Sequence, residues 1–170
     1  MRSIMAMVRP RRNDSAALYA ALVAEARQRG WYLDGGVPDT LDGRFSVLST
    51  VVAIAILRLE SGGEEAVRSS VSLTESFIAD MDVQMREEGF SDTSLGKQVR
   101  HMVGALATKV DRWRTTIAAD GSWDESVAAS IERGDHATEA SSTFAAESLR
   151  RLHESLGGAS DAAVIAGKFR

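Results

Sequence analysis

Leu95-Gly96-Lys97-Gln98-Val99-Arg100-His101-Met102-Val103-Gly104-Ala105-Leu106-Ala107-Thr108-Lys109-Val110-Asp111-Arg112-Trp113-Arg114-Thr115-Thr116-Ile117 decides the fold class. Leu95, Val99, Met102, Leu106, Val110, Trp113 and Ile117 recur at steps of four, three, four, four, three and four. At 3.6 residues per turn, that spacing keeps one apolar stripe on a helix for about six turns. A strand would need a period of two. The stretch predicts one long amphipathic helix.

The same signals extend outward in both directions. Ser122-Trp123-Asp124-Glu125 is a capping box that opens a helix with Val127 and Ile131 inward. A further helix carries Ala145, Leu149, Leu152 and Leu156 and stops at Gly157-Gly158. Upstream, Asp92 or Ser94 caps the long helix, and Gly89 closes the segment before it. That segment, residues 64–88, has Leu73, Phe77, Met81 and Met85 four apart. Ser61-Gly62-Gly63-Glu64 and Ser72-Leu73-Thr74-Glu75 both read as capping boxes, so it forms either one helix or two. Residues 44–60 are apolar almost all round, which places that helix centrally, with Thr40 or Asp42 as its cap. A first helix starts at residue 14 or 15 and ends at 29, with Leu18, Leu22 and Ala26 on one face and Gly30 closing it. No alternating strand pattern and no internal repeat competes. The expectation is an all-α fold: one domain of about six helices in an irregular bundle over residues 14–157, a basic disordered leader over 1–13, and a frayed tail over 158–170.

Composition narrows the function classes. The chain of 170 residues suits one domain with a sizeable core. A net charge of -4 and a pI near 5.4 argue against a specific nucleic-acid partner, which would need a concentrated basic face. Cysteine is absent, so disulfides, thiolate metal sites and cysteine nucleophiles are excluded together, and a reducing cytoplasmic location fits. The most apolar run, residues 47–59, includes Ser49, Thr50 and Arg58 and falls short of the roughly 20 residues of a membrane span. Residues 1–12 hold four arginines and no acid, with neither a secretory apolar centre nor a cleavage site. They read as a leader without structure, or as a weak electrostatic tether to the anionic inner face of a membrane.

One loop carries more chemistry than a helical bundle needs: Gly36-Val37-Pro38-Asp39-Thr40-Leu41-Asp42-Gly43-Arg44-Phe45. Gly36 and Gly43 permit φ > 0, Pro38 makes Val37 extended, and Asp39 and Thr40 can fold back onto backbone amides. Arg44 offers a bidentate fork to a carboxylate. Its expected partner is Asp80, Asp82 or Asp92, in a buried pair that pins the loop over the turn before the long helix.

Other constellations read as structural. Asp80 and Asp82 are two apart on a helix, so their carboxylates cannot share an ion, whereas Asp82 and Arg86 have the favoured i, i+4 order for a pair. The stretch from Gly89 to Lys97 lacks the glycine and the hydroxyl residue of a phosphate-binding loop. His101, His136 and His153 have no metal spacing, and no serine sits in a nucleophile elbow. Trp113 and Trp123 are expected to pack across the turn between them. Trp31-Tyr32 serves either the core or a semi-exposed client contact. Catalytic, cofactor and metal residues: none are assigned.

Two of these motifs carry a resemblance. Ala26-Arg27, Trp31-Tyr32 and the loop of residues 36–45 stand in the same order as in the ubiquinol–cytochrome c chaperone family, and the chain resembles that family over about residues 16–156. Phe77-Ile78-Ala79-Asp80-Met81-Asp82, then Arg86-Glu87-Glu88-Gly89, Asp92 and Gly96-Lys97, continue the likeness, as does Ile131-Glu132-Arg133-Gly134-Asp135. The chain departs from the family pattern at Val51, at Phe90-Ser91 and at Leu106-Ala107-Thr108-Lys109. The resemblance implies a helical assembly factor and no enzyme. It would help newly made cytochrome b, or another hydrophobic membrane-protein client, mature into the ubiquinol–cytochrome c reductase (respiratory complex III). The resemblance implies no cofactor; the family's mitochondrial members work beside a small partner subunit and near the ribosome, while its bacterial members are less well defined. The docking region it implies comprises Trp31, Tyr32, Pro38, Asp39, Thr40, Asp42, Gly43, Arg44, Phe45, Asp80, Asp82, Arg86, Asp92 and Lys97.

Two alternatives stand beside this reading. A small helical ligand-binding domain or phosphate- or metal-dependent enzyme would build a mixed-charge pocket from Asp39, Asp42, Arg44, Asp80, Asp92 and Lys97. An assembly factor for another membrane complex would keep the same scaffold.

Overall fold

A helix that is apolar almost all round must be surrounded, and the computed structural model surrounds residues 46–56. It describes residues 15–119 and 121–170, with Asp92 described by its backbone. The basic leader expected at 1–13 and the cap expected at Asp14 lie outside the described residues.

The described residues form α1 (Ala16–Ala26), α2 (Gly30–Leu33), α3 (Leu41–Glu60), α4 (Glu64–Glu87), α5 (Asp92–Ala118), α6 (Trp123–Ser130), α7 (Glu139–Gly158) and α8 (Asp161–Ile165), with no strand among them. The six longer helices are those expected, and α2 and α8 are short additions. Residues 46–56 of α3 are buried without a break, and α1, α4, α5, α6 and α7 all pack against this helix. Its buried hydroxyls cause no penalty. Ser46 donates to the Gly43 carbonyl at 2.8 Å and Thr50 to the Ser46 carbonyl at 2.7 Å, so each is satisfied within the helix.

The segment after α3 resolves as one helix. The apolar stripe of Leu73, Phe77, Met81 and Met85 is buried along α4 and overrides the capping signal at Ser72. Ser61 does not cap α4 either. Its hydroxyl donates to the Arg58 carbonyl at 2.8 Å as α3 ends, and the Gly63 amide is met instead by Asp161 Oδ2 at 2.8 Å. Gly89, at φ 85°, ends α4 in a Schellman turn: its amide donates to the Arg86 carbonyl and the Phe90 amide to the Met85 carbonyl. Ser91, rather than Asp92 or Ser94, holds the cap position of α5.

Two further expectations are corrected. The first helix stops at Ala26, three residues early, because side chains take over its last carbonyls. Trp31 Nε1 donates to the Glu25 carbonyl and the Tyr32 hydroxyl to that of Ala26, each at 3.0 Å. Residues 158–170 are not frayed. Arg58 reaches the carbonyls of Leu156 and Ala159 at 2.9 and 2.7 Å and pairs with Asp161 at 2.8 Å. Val164 and Phe169 are buried in the core beyond it.

Candidate functional site

The signature loop is held by the chain that follows α6, and only in part by α4. Gly36, at φ 67°, offers its carbonyl to the Gly134 amide at 3.0 Å. Ser46, one turn into α3, accepts from the Glu132 amide at 2.9 Å. Thr40 Oγ1 accepts from Gly43 N at 3.1 Å and so opens α3 as its cap. Gly43 itself is irreplaceable, since a Cβ there would lie 2.0 Å from the Pro38 carbonyl oxygen.

So placed, the loop forms one wall of an open groove of about 370 Å³. Val23 and Ala26 of α1 form its second wall, Tyr32 and the arginines of the 27–29 turn its upper rim, and Asp80, Met81 and Gln84 of α4 the opposite side. Phe45 and Leu48 of α3 lie at its floor. Two stretches distant in sequence, residues 23–48 and 80–84, thus meet here, and five of the expected residues line the space: Tyr32, Asp39, Arg44, Phe45 and Asp80.

Arg44 corrects the expected clamp. Its Nε donates to Asp39 Oδ1 at 2.7 Å, and both side chains are 62% exposed. A partner five residues away inside the same loop is reached without crossing to α4. The hydrogen bond from Arg44 holds the Asp39 carboxyl below its ordinary range, and the same contact raises the guanidinium. Asp80 is already engaged. Tyr19 donates to its Oδ2 at 2.6 Å and Gln84 Nε2 at 2.9 Å. Burial, with Asp80 as a second cause, pushes the Tyr19 hydroxyl well above its ordinary value, so it stays a donor. Burial also raises Tyr32.

The other expected residues serve elsewhere. Trp31 is buried in the core, edge-on to Phe144 with ring centroids 6.1 Å apart. Asp82 and Arg86 form the expected i, i+4 pair at 2.9 Å on α4. Pro38, Thr40 and Gly43 shape the loop, and Asp42 is exposed in the first turn of α3. Lys97 is exposed on α5, outside the groove, and the side chain of Asp92 lies outside the described residues. The mixed-charge pocket therefore gathers Asp39, Arg44 and Asp80, without Asp42 or Lys97. Among the described residues no group of three acids and histidines could hold a metal ion. Trp113 and Trp123 pack as expected, with centroids 5.0 Å apart.

One residue behind the groove was missed. Lys109 Nζ lies 5.7 Å from the centroid of the Phe45 ring. It donates to the Ser46 carbonyl at 2.9 Å, to Ser49 Oγ at 2.7 Å and to Thr50 Oγ1 at 3.3 Å. Burial brings it down from its ordinary value to about 7. The signal was legible: Lys109 falls three after Leu106 and four before Trp113, on the apolar stripe of its helix.

The family model described as ubiquinol-cytochrome C chaperone matches residues 33–170. A crystal structure described as that of the Cbp3 homolog from Brucella abortus is similar to this chain, with a TM-score of 0.76 at 23% sequence identity. The match covers 91% of this chain and 86% of the other, and it shows a shared fold. No curated protein gives a significant match.

Proposed function

We propose that this chain, which belongs to the ubiquinol–cytochrome c chaperone family, holds newly made cytochrome b in the groove between α1, α3 and α4 and releases it into the ubiquinol–cytochrome c reductase. The observation that carries this reading is the convergence of five signature residues on one open groove of mixed polar and apolar lining. Tyr32, Asp39, Arg44, Phe45 and Asp80 come from two stretches distant in sequence, and a bundle has no packing need to leave a gap where they meet.

The role needs no reaction centre. Tyr19, Tyr32, Asp39, Arg44 and Asp80 are each engaged in a hydrogen bond with a neighbour, and none is arranged as a nucleophile beside a base. Among the described residues no helix is long and apolar enough to cross a membrane. We place the chain in the cytoplasm, peripheral to the inner face of the membrane where such a client is inserted. A small partner subunit, the ribosome and the anionic membrane face are the further contacts this role implies.

Gene deletion with complementation tests the proposal. Val23→Lys puts a charge on the groove wall from a half-buried position, and a melt like that of the wild type confirms folding. Wild-type protein should restore the b-type haem absorbance of assembled reductase, and the variant should not. Normal b-type spectra in the deletion strain would overturn the proposal.

A further inference from the structure

The groove mixes apolar and charged side chains, and its charges are unevenly matched. Its accessible apolar surface comes from the half-buried Val23 and Phe45, while Ala26, Leu48 and Met81 line it from buried positions. At about 370 Å³ it lies near the lower end of the roughly 300–1,000 Å³ range of ligand pockets, which admits one or two side chains and not a whole helix. Of the charged groups around it, Arg44 is matched by Asp39, and Asp80 is engaged by Tyr19 and Gln84. Arg27 and Arg29 are exposed and have no acid partner among the described residues. Both arginines line the space itself.

Resting on the client-docking reading, we infer that the groove selects a client segment in which a large apolar side chain is followed within two residues by an acid. The apolar side chain fills the floor, and the carboxylate meets Arg27 and Arg29. A wholly apolar segment would leave both exposed guanidinium groups without a counter-charge. A carboxylate instead receives charge-assisted, fork-like hydrogen bonds. A basic segment would meet an excess of positive charge, three arginines against Asp39 and Asp80. An anionic membrane surface fits less well than a peptide. The rim also carries Asp39 and Asp80, with Asp42 exposed near by, the chain is net negative, and the space is concave.

The test uses the full chain and two fluorescein-labelled twelve-residue peptides, identical except for one position. Each carries Leu-Phe in a Gly-Ser background, followed by Asp in one and Lys in the other. Vesicles of phosphatidylglycerol and phosphatidylcholine form a third arm. The expected result is at least tenfold tighter binding of the Asp peptide by fluorescence anisotropy. In the exposed double variant Arg27→Glu/Arg29→Glu, checked by its melt, that preference should reverse. Equal binding of both peptides, binding of neither, or a preference unchanged in the double variant would overturn the inference. So would vesicle binding that depends on Arg27 and Arg29 while the peptides show no selectivity. Should the charge preference fail while Val23→Lys still blocks reductase assembly, the groove remains the docking site and only the charge rule falls. Should Val23→Lys assemble reductase normally, the docking reading itself falls.

Discussion

Lys109 Nζ donates to Ser49 Oγ at 2.7 Å, tying α5 to α3 directly behind the Phe45 ring. Ser46 and Thr50 supply two more acceptors, so the three N–H groups of an ammonium each have an oxygen to meet. None of the three carries a full negative charge, and burial prevails over them.

Stability should therefore rise with pH across the slightly alkaline range. Lys109 titrates near 7 in the folded chain and near 10.5 when unfolded, so between those values the unfolded state binds more protons. Its contribution is least favourable below about pH 7 and improves toward pH 10, by on the order of 2–4 kcal/mol. Above pH 10 the raised Tyr19 acts in the opposite sense, because the unfolded tyrosine loses its proton first. Denaturant midpoints from pH 6.5 to 9.5 should climb for the wild type. They should be flatter for Lys109→Met, and an equal climb in both would remove Lys109 as the cause.

Arg44→Ala should leave the melt nearly unchanged, since both partners of the pair are 62% exposed. Its effect should appear in a titration. The Asp39 carboxyl, held low by Arg44, should move up toward the ordinary range when followed by NMR. A large loss of stability would mean that the guanidinium is buried against α4 after all.

Arg58→Ala should cost about 2–4 kcal/mol, because it removes charge-assisted bonds to two carbonyls and the mate of Asp161. Amide exchange at Val164 should quicken more than at Val52. Arg68→Ala, which breaks an exposed pair with Glu64 on α4, should have no measurable effect on the denaturant midpoint.

Two glycines should respond in opposite directions. Gly43→Ala forces a Cβ against the Pro38 carbonyl and should cost about 3 kcal/mol. Gly104 lies within α5 with nothing within 4 Å of a built Cβ, so Gly104→Ala should gain about 0.5–1 kcal/mol. Chemical denaturation of the pair checks both signs.

What the sequence revealed was set by local physics, and what it hid was set by distance. The stripe through Leu95, Met102, Leu106 and Trp113, the cap at Ser122 and the turn at Gly89 depend on neighbours a few residues away, and all three form, the Ser122 box by its half in which the hydroxyl accepts from the Glu125 amide. The single continuous α4 was left open because Ser72 signals a start that only the burial of Leu73 and Phe77 can override. The tail was misread because its hold comes from Arg58, about a hundred residues upstream. The loop was recognised, but its side-chain partner was not. Arg44 had several acids within conceivable reach, and nothing local favoured Asp39 over Asp80. Lys109 could have been found from its place on the apolar stripe; its three acceptors could not, since they lie across the helix interface.

The client-holding groove is tested most directly by site-specific photocrosslinking during synthesis of cytochrome b. A benzophenone side chain at Val23 points the probe at the groove wall, and one at Thr115, exposed on α5 and outside the groove, serves as the control. The groove reading predicts a crosslink to newly made cytochrome b from position 23 and none from position 115. A crosslink from position 115 alone, or one of equal yield from both, would contradict it.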